Sequence, residues 1–172
     1  DYPWYKAKDY VEKLVLSDDI TTIGQGAFYG SYYTNLSGTL ALPSKLKSIG
    51  ASAFYNCTGF TGDLIIPDSV ETMGSAVFSG CKGFNGRLVL SKNLKSIPYD
   101  AFYYCENFKG ELDIPESVEL IDSYAFYACK GFTGNLVFPE KLKTINNSAF
   151  TACEGFTGNL VFPESLELIG AY

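Results

Sequence analysis

The stretch from Leu40 to Gly62, LALPSKLKSIGASAFYNCTGFTG, is one copy of a unit that recurs along nearly the whole chain. Its cysteine, Cys57, returns as Cys81, Cys105, Cys129 and Cys153, each 24 residues after the last. Its Ala53-Phe54 pair returns at 101, 125 and 149, with Val77-Phe78 in the remaining copy. Ala27-Phe28 precedes Ala53 by 26 residues, so the first unit carries two extra residues, placed most simply between Ser31 and Asn35. A fixed period of this size predicts a solenoid, in which each coil is too small to bury its own apolar face and stacking makes one continuous core.

The phenylalanines support that reading. All 13 fall on three positions of the unit: six after the alanine or valine (28, 54, 78, 102, 126, 150), five two residues before the second glycine (60, 84, 108, 132, 156), and two in strand-like triplets (138, 162). Triplets such as Leu64-Ile65-Ile66 and Leu88-Val89-Leu90 have the period of two expected of a short strand, outer residues inward and middle residue outward. Proline follows the triplet at 43, 67, 115, 139 and 163 and ends it. The segment around Ser48-Ile49 and its equivalents reads as a second short strand. The Ala-Phe-x-x-Cys segment reads as a single helical turn, because Phe and Cys lie three apart. Glycines 38, 62, 86, 110, 134 and 158 are expected at positive φ, at the corner before the first strand.

Composition removes several function classes. The chain has 172 residues, 47% of them hydrophobic, which is ample for a core of one domain. Its 13 Lys+Arg against 19 Asp+Glu give a formal charge of −6 without a basic patch, which argues against nucleic acid. There is no histidine, so the commonest general base, Ser/Cys-His pairs and His-ligated metals are excluded together. No stretch approaches the roughly 20 apolar residues that span a bilayer, and the start, Asp1-Tyr2-Pro3-Trp4, does not read as a signal peptide. No cofactor, metal or catalytic residue is predicted, and the chain is expected not to be an enzyme.

Residues 112–129, LDIPESVELIDSYAFYAC, resemble the unit of the BspA-type leucine-rich repeats, Leu-x-Ile-Pro-x-Ser-Val-x-x-Ile-Gly-x-x-Ala-Phe-x-x-Cys. The resemblance extends from about Leu14 to the end. It implies an α/β-type repeat solenoid: a right-handed leucine-rich-repeat coil of about seven 24-residue units, with short parallel strands and single helical turns. Units would start near 14, 40, 64, 88, 112, 136 and 160, the last truncated, behind a cap segment over residues 1–13 that contains Pro3-Trp4-Tyr5. The ending at Ile169-Gly170-Ala171-Tyr172, before the next Ala-Phe, reads as a cut through a longer array. The resemblance further implies a secreted or cell-surface bacterial protein, adhesin-like, whose signal peptide and anchor lie outside this chain. Its partner would be a host or microbial surface protein or glycan, bound by a monomer. A structural spacer presenting another domain is the rival role.

Side chains one period apart stack in parallel, so the five cysteines are expected as a buried ladder of free thiols rather than disulfides or a zinc site. Five unpaired thiols in an exported protein would suit an anaerobic setting. A second ladder, Lys47, Glu71, Lys95, Glu119, Lys143, Glu167, alternates in sign. Ser69, Ser117 and Ser165 alternate likewise with Lys45, Asn93 and Lys141, which makes the full repeat a 48-residue pair. The alternating charges are expected to help fix the register of the stack. Two surfaces are candidates for partner binding. One is formed by Tyr99, Tyr103, Tyr104, Tyr124 and Tyr127, since tyrosine combines large contact area with a polar tip. Covering the outside of the turns is the other reading of these rings. The second surface is the outward stripe of the first strands, Ile65, Val89, Asp113 and Val137, where strand propensity alone would also select β-branched residues.

Overall fold

The computed structural model describes residues 10–30, 33 and 35–171. Among the described residues it is a stack of parallel coils bearing nine two-residue strands: β1 Thr22–Ile23, β2 Ser48–Ile49, β3 Leu64–Ile65, β4 Thr72–Met73, β5 Leu88–Val89, β6 Ser96–Ile97, β7 Leu120–Ile121, β8 Thr144–Ile145 and β9 Leu168–Ile169. Every strand pairing is parallel, and β1 joins β2 through Thr22↔Ser48 while β3 joins β5 through Leu64↔Leu88. The offset between partners is therefore 26 residues at the first joint and 24 afterwards. The two extra residues lie between Gly30, whose N–H donates to Tyr55 O, and Gly38, whose O accepts the N–H of Thr61. The lead-in residues Pro3-Trp4-Tyr5 lie outside the described residues; Glu12, further on, accepts the backbone N–H of Ser37 at 3.0 Å.

Phenylalanine builds the core as two columns. Phe54, Phe78, Phe102 and Phe126 stack at centroid distances of 5.2 to 5.9 Å, with Phe28 and Phe150 at the ends at 5.3 Å from their neighbours. Phe60, Phe84, Phe108, Phe132 and Phe156 stack alongside at 5.7 to 6.1 Å. Within each coil the two rings meet edge to face, as Phe102 and Phe108 do at 6.3 Å and 74°. Each ring thus packs against rings above, below and beside it, in the geometries that the aromatic quadrupole favours. Full burial of each such side chain is worth roughly 1.5–3 kcal/mol, so the columns dominate cohesion.

The expected helical turns are absent: no helix occurs among the described residues. The Ala-Phe-x-x-Cys segment is instead a run of tight turns whose N–H groups alternate between two destinations. Ala53, Tyr55 and Cys57 donate three residues back, to Gly50, Ser52 and Phe54, while Ser52, Phe54 and Asn56 donate across to Ser75, Val77 and Ser79 of the next coil. A helix would consume both sets internally and leave the coils unlinked here. The alternation requires positive φ at two points per coil, at Ser52 (53°) and Asn56 (55°), and again at Asp100 and Tyr104 (both 55°). An L residue in this region costs about 1–2 kcal/mol, offset by the cross-coil bonds that it permits. The corner glycines behave as expected at 38, 62, 110, 134 and 158. Gly86 departs from the other five and is not at positive φ; in its coil Asn85 replaces the usual Thr or Lys and takes the N–H of Gly62 on its own side-chain oxygen.

The second-strand sheet is interrupted once. It runs β1-β2-β4 and then β6-β7-β8-β9, with no pairing between β4 and β6. At the joints that pair, a residue just after the strand donates its N–H to the preceding coil: Gly50 to Ile23 O, Gly74 to Ile49 O, Asp122 to Ile97 O, Asn146 to Ile121 O and Gly170 to Ile145 O. The equivalent residue at the interrupted joint is Pro98, which has no N–H to offer Met73 O. The charge ladder pairs at two of its steps among the described residues. Lys47 pairs with Glu71 at 3.0 Å and Lys143 with Glu119 at 2.6 Å, whereas Lys95 forms no ion pair among the described residues. The hydrogen bond from Lys143, then its charge, holds the Glu119 carboxyl below its ordinary value, and Lys95 adds to this from a distance. Exposed pairs of this kind contribute little individually and are screened by salt. Glu119→Lys is therefore expected to lower the urea midpoint at low ionic strength and to have a smaller effect in high salt; an equal effect at both would remove the charges from any role in register.

The serine alternation has a separate role. The hydroxyls of Ser117 and Ser165 donate to Leu94 O and Leu142 O of the preceding coil at 2.6 and 2.7 Å. Where Asn93 occupies that position, Ser91 replaces the strand-ending proline and donates to Val70 O at 2.6 Å. One inter-coil acceptor is thus satisfied from two different sequence positions.

Candidate functional site

The five tyrosines converge. Tyr99, Tyr103 and Tyr104 come from one coil and Tyr124 and Tyr127 from the next. The turn run places them along one outer edge of the stack, because the register that superposes Phe102 on Phe126 also superposes Tyr103 on Tyr127. Tyr103 and Tyr127 stack at 5.0 Å and 24°. Tyr104 lies 4.6 Å from Tyr103 and 5.6 Å from Tyr127. Tyr124 meets Tyr127, Tyr99 and Tyr103 at 5.9, 5.9 and 6.3 Å, with steep interplanar angles of 61° to 84°. Tyr99 is 44% exposed, and the others are half-buried in one another. A second pair, Tyr29 and Tyr55, stacks at 4.8 Å lower in the array. Buried Ser79 occupies the intervening position and separates the two groups.

Charged residues that the sequence reading did not single out surround the patch. Asp100 sits between Tyr99 and the turn carrying Tyr103. Its partial burial raises its carboxyl above the ordinary value, and its charge is the main reason that the Tyr99 hydroxyl is raised as well. The Tyr103 hydroxyl is raised by desolvation first, then by its tyrosine neighbours and Asp100. Asp122 is engaged by the Ser123 N–H at 2.7 Å and by Asn146 Nδ2 at 2.8 Å. At the far edge, Lys82 Nζ lies 5.2 Å from the Tyr104 ring centroid and 3.0 Å from Glu106 Oε1. The sequence carried one sign of Asp100. At its register the other coils have Gly26, Ser52, Ala76, Tyr124 and Ser148, so it is the only charge in that column.

The outward stripe lies apart from the tyrosines and is discontinuous. Ile65 and Val89 pair across β3 and β5 and are 52% and 39% exposed. Val137 bridges Val161 further along, while Asp113 between the two groups joins no strand. Next to Asp113 is an open groove of about 610 Å³, with Arg87 and Lys92 on one wall and Glu111, Asp113 and Glu116 on the other. A second groove of about 490 Å³ follows Val137 and Val161.

The cysteines form the expected ladder of free thiols, four buried and Cys153 less so. They are more than small apolar groups, however. Each Sγ donates to the phenylalanine carbonyl of the preceding coil, from Cys57 to Phe28 O at 2.8 Å through Cys153 to Phe126 O at 3.0 Å. The same carbonyl at Phe54 also accepts the Cys57 N–H, so both of its lone pairs are used by cysteines of adjacent coils. Burial pushes the thiols of Cys57 and Cys153 up to about 12, and those of Cys81, Cys105 and Cys129 well above the ordinary value. Among the described residues, no group of three His, Cys, Asp or Glu side chains could hold a metal ion, and no helix is long and apolar enough to cross a membrane.

A six-copy match to the family model of the BspA type leucine-rich repeat region covers residues 2–133 and 85–172. The chain belongs to the BspA-type leucine-rich repeat family. Among curated proteins, none matches it. Solved structures of similar fold include a leucine-rich repeat protein from Eubacterium ventriosum, 23% identical with a TM-score of 0.76 over 93% of this chain. The Treponema pallidum leucine-rich repeat protein is 27% identical with a TM-score of 0.75, over 93% of this chain and 72% of its own. A leucine-rich cell surface protein from Faecalibacterium prausnitzii is 21% identical with a TM-score of 0.59, over 84% of this chain and 53% of its own. This BspA-type chain spans 41% of the E. ventriosum protein's length. The family assignment makes it a repeat scaffold.

Proposed function

We propose that this chain is a non-enzymatic binding scaffold outside the cell, which takes a surface protein or glycan of a host or another microbe as a monomer. The reading is carried by one observation: the tyrosines of two adjacent coils form a continuous ring cluster on the outer edge, although packing of the core requires none of them. Large, stiff side chains with polar tips give contact area at low conformational cost. Location outside the cell draws on the family and on the cell surface protein of F. prausnitzii. The stripe from Ile65 to Val137 is a secondary surface on this reading. Two variants, Tyr103→Ala and Tyr127→Ala, are to be compared with the unaltered chain against immobilised matrix proteins and an oligosaccharide array. A binder that loses signal in both variants supports the proposal. A spacer would bind nothing in any form, and that result would overturn it.

A further inference from the structure

We propose that the tyrosine patch around Asp100 is a receptor for an arginine or lysine side chain on a segment of a partner protein. The inference rests on the binding role assigned to the patch above and names the chemistry that the patch selects. The chain supplies an example of this recognition. At one edge, Lys82 lies over the Tyr104 ring while its ammonium pairs with Glu106, so a ring and a carboxylate together hold a cation. The same two components recur at the centre without a cation: Asp100 stands beside Tyr99 and Tyr103, and no lysine or arginine pairs with it among the described residues.

Three further observations fit a cationic guest. Asp100 is partly buried, where an ion pair is less screened than in open water. The rings meet at steep angles, 81° between Tyr99 and Tyr124 and 84° between Tyr103 and Tyr124, so the cluster presents faces as well as edges to its surroundings. The negative face of such a ring attracts a guanidinium or ammonium, with arginine favoured because its plane can also stack. The chain as a whole is acidic, with a formal charge of −6, which draws a basic segment in from a distance. A neutral sugar would use the rings but would gain less from an unpaired carboxylate.

The test titrates the full chain with a short peptide carrying two arginines, with the same peptide carrying glutamines in their place, and with maltohexaose. Binding is followed by tyrosine fluorescence and by NMR shifts of the patch. Asp100→Asn is the decisive variant, because asparagine tolerates the positive φ at this position as aspartate does and should leave the turn intact. The arginine peptide is expected to bind about tenfold more tightly than the glutamine peptide, and to lose most of that margin in D100N and at high salt. Tyr55→Ala, on the separate tyrosine pair, should leave its binding unchanged. Equal binding of the two peptides, or undiminished arginine-peptide binding in D100N, overturns the proposal. Binding of maltohexaose alone also overturns it but leaves the patch as a binding surface, whereas absence of binding by all three probes counts against both readings.

Discussion

Raising the pH from 8 to between about 10 and 11 should unfold this chain cooperatively, because its five thiols, four buried and Cys153 partly so, are engaged as donors and poorly placed to carry a negative charge. In the unfolded chain a thiol ionises near 9, whereas in the stack the thiols of Cys57 and Cys153 are held at about 12 and burial holds those of Cys81, Cys105 and Cys129 well above the ordinary value. Below pH 9 both states carry the proton and nothing is lost. Above it the unfolded chain releases protons that the folded chain must keep, so stability falls with pH, by about 1.4 kcal/mol per unit for each thiol. One unit above the unfolded value, five thiols together remove on the order of 5 kcal/mol or more, comparable with the roughly 5–15 kcal/mol of a typical domain. Circular dichroism and thiolate absorbance near 240 nm, followed through an alkaline titration, should change together. Thiolate absorbance that appears near pH 9 while the fold persists would show the thiols to be accessible. Serine at 105 and 129 keeps a donor toward Phe78 O and Phe102 O and does not ionise in this range, so the double variant should unfold at higher pH than the unaltered chain.

Phe102→Ala should cost about 3–5 kcal/mol, the range for removing a buried aromatic ring. Phe102 is fully buried and touches three rings: Phe78 at 5.9 Å, Phe126 at 5.4 Å and Phe108 at 6.3 Å. The void has no easy way to collapse, since the coil spacing is fixed on both sides by backbone bonds from Phe78 N–H to Ala101 O and from Phe102 N–H to Ala125 O. The same change at Phe150, which is only half-buried at the last complete phenylalanine pair, should cost less. Urea unfolding of the two variants in parallel gives the comparison, and equal midpoints would mean that the columns are not continuous.

Much of the fold was legible because one residue type marked each layer. Phenylalanine at two positions gave the core columns, and the spacing of Cys57 through Cys153 gave the coil register. The turn run reads as helical in the sequence because Phe and Cys three apart share a face in a helix and are also joined by a tight turn. The signal that separates these cases is φ at Ser52, Asn56, Asp100 and Tyr104, and side chains as varied as these do not announce a left-handed backbone. The tyrosines were legible as a group, since period alone stacks Tyr103 on Tyr127. Asp100 was not, because its importance comes from neighbours on another coil. The thiol bonds to phenylalanine carbonyls were hidden likewise: composition shows that cysteine is small and apolar, and only the placement of a carbonyl within reach shows that it also donates.

Pro98 redirects one joint of the array in a way that the count of repeats conceals. In a stacked chain the stability of the whole is a sum of coil terms and nearest-neighbour coupling terms. At the joint between β4 and β6 the second strands are unpaired, but the first strands of the same two coils pair as β3 and β5, Lys82 and Arg87 form ion pairs with Glu106 and Asp63, and the phenylalanine stack from Phe78 to Phe102 and the turn-run bonds persist. The contact between these coils moves from the second strands to the first. Pro98 thus changes the side on which two neighbouring coils are laced together, and the tyrosine patch begins on the coil that follows this switch.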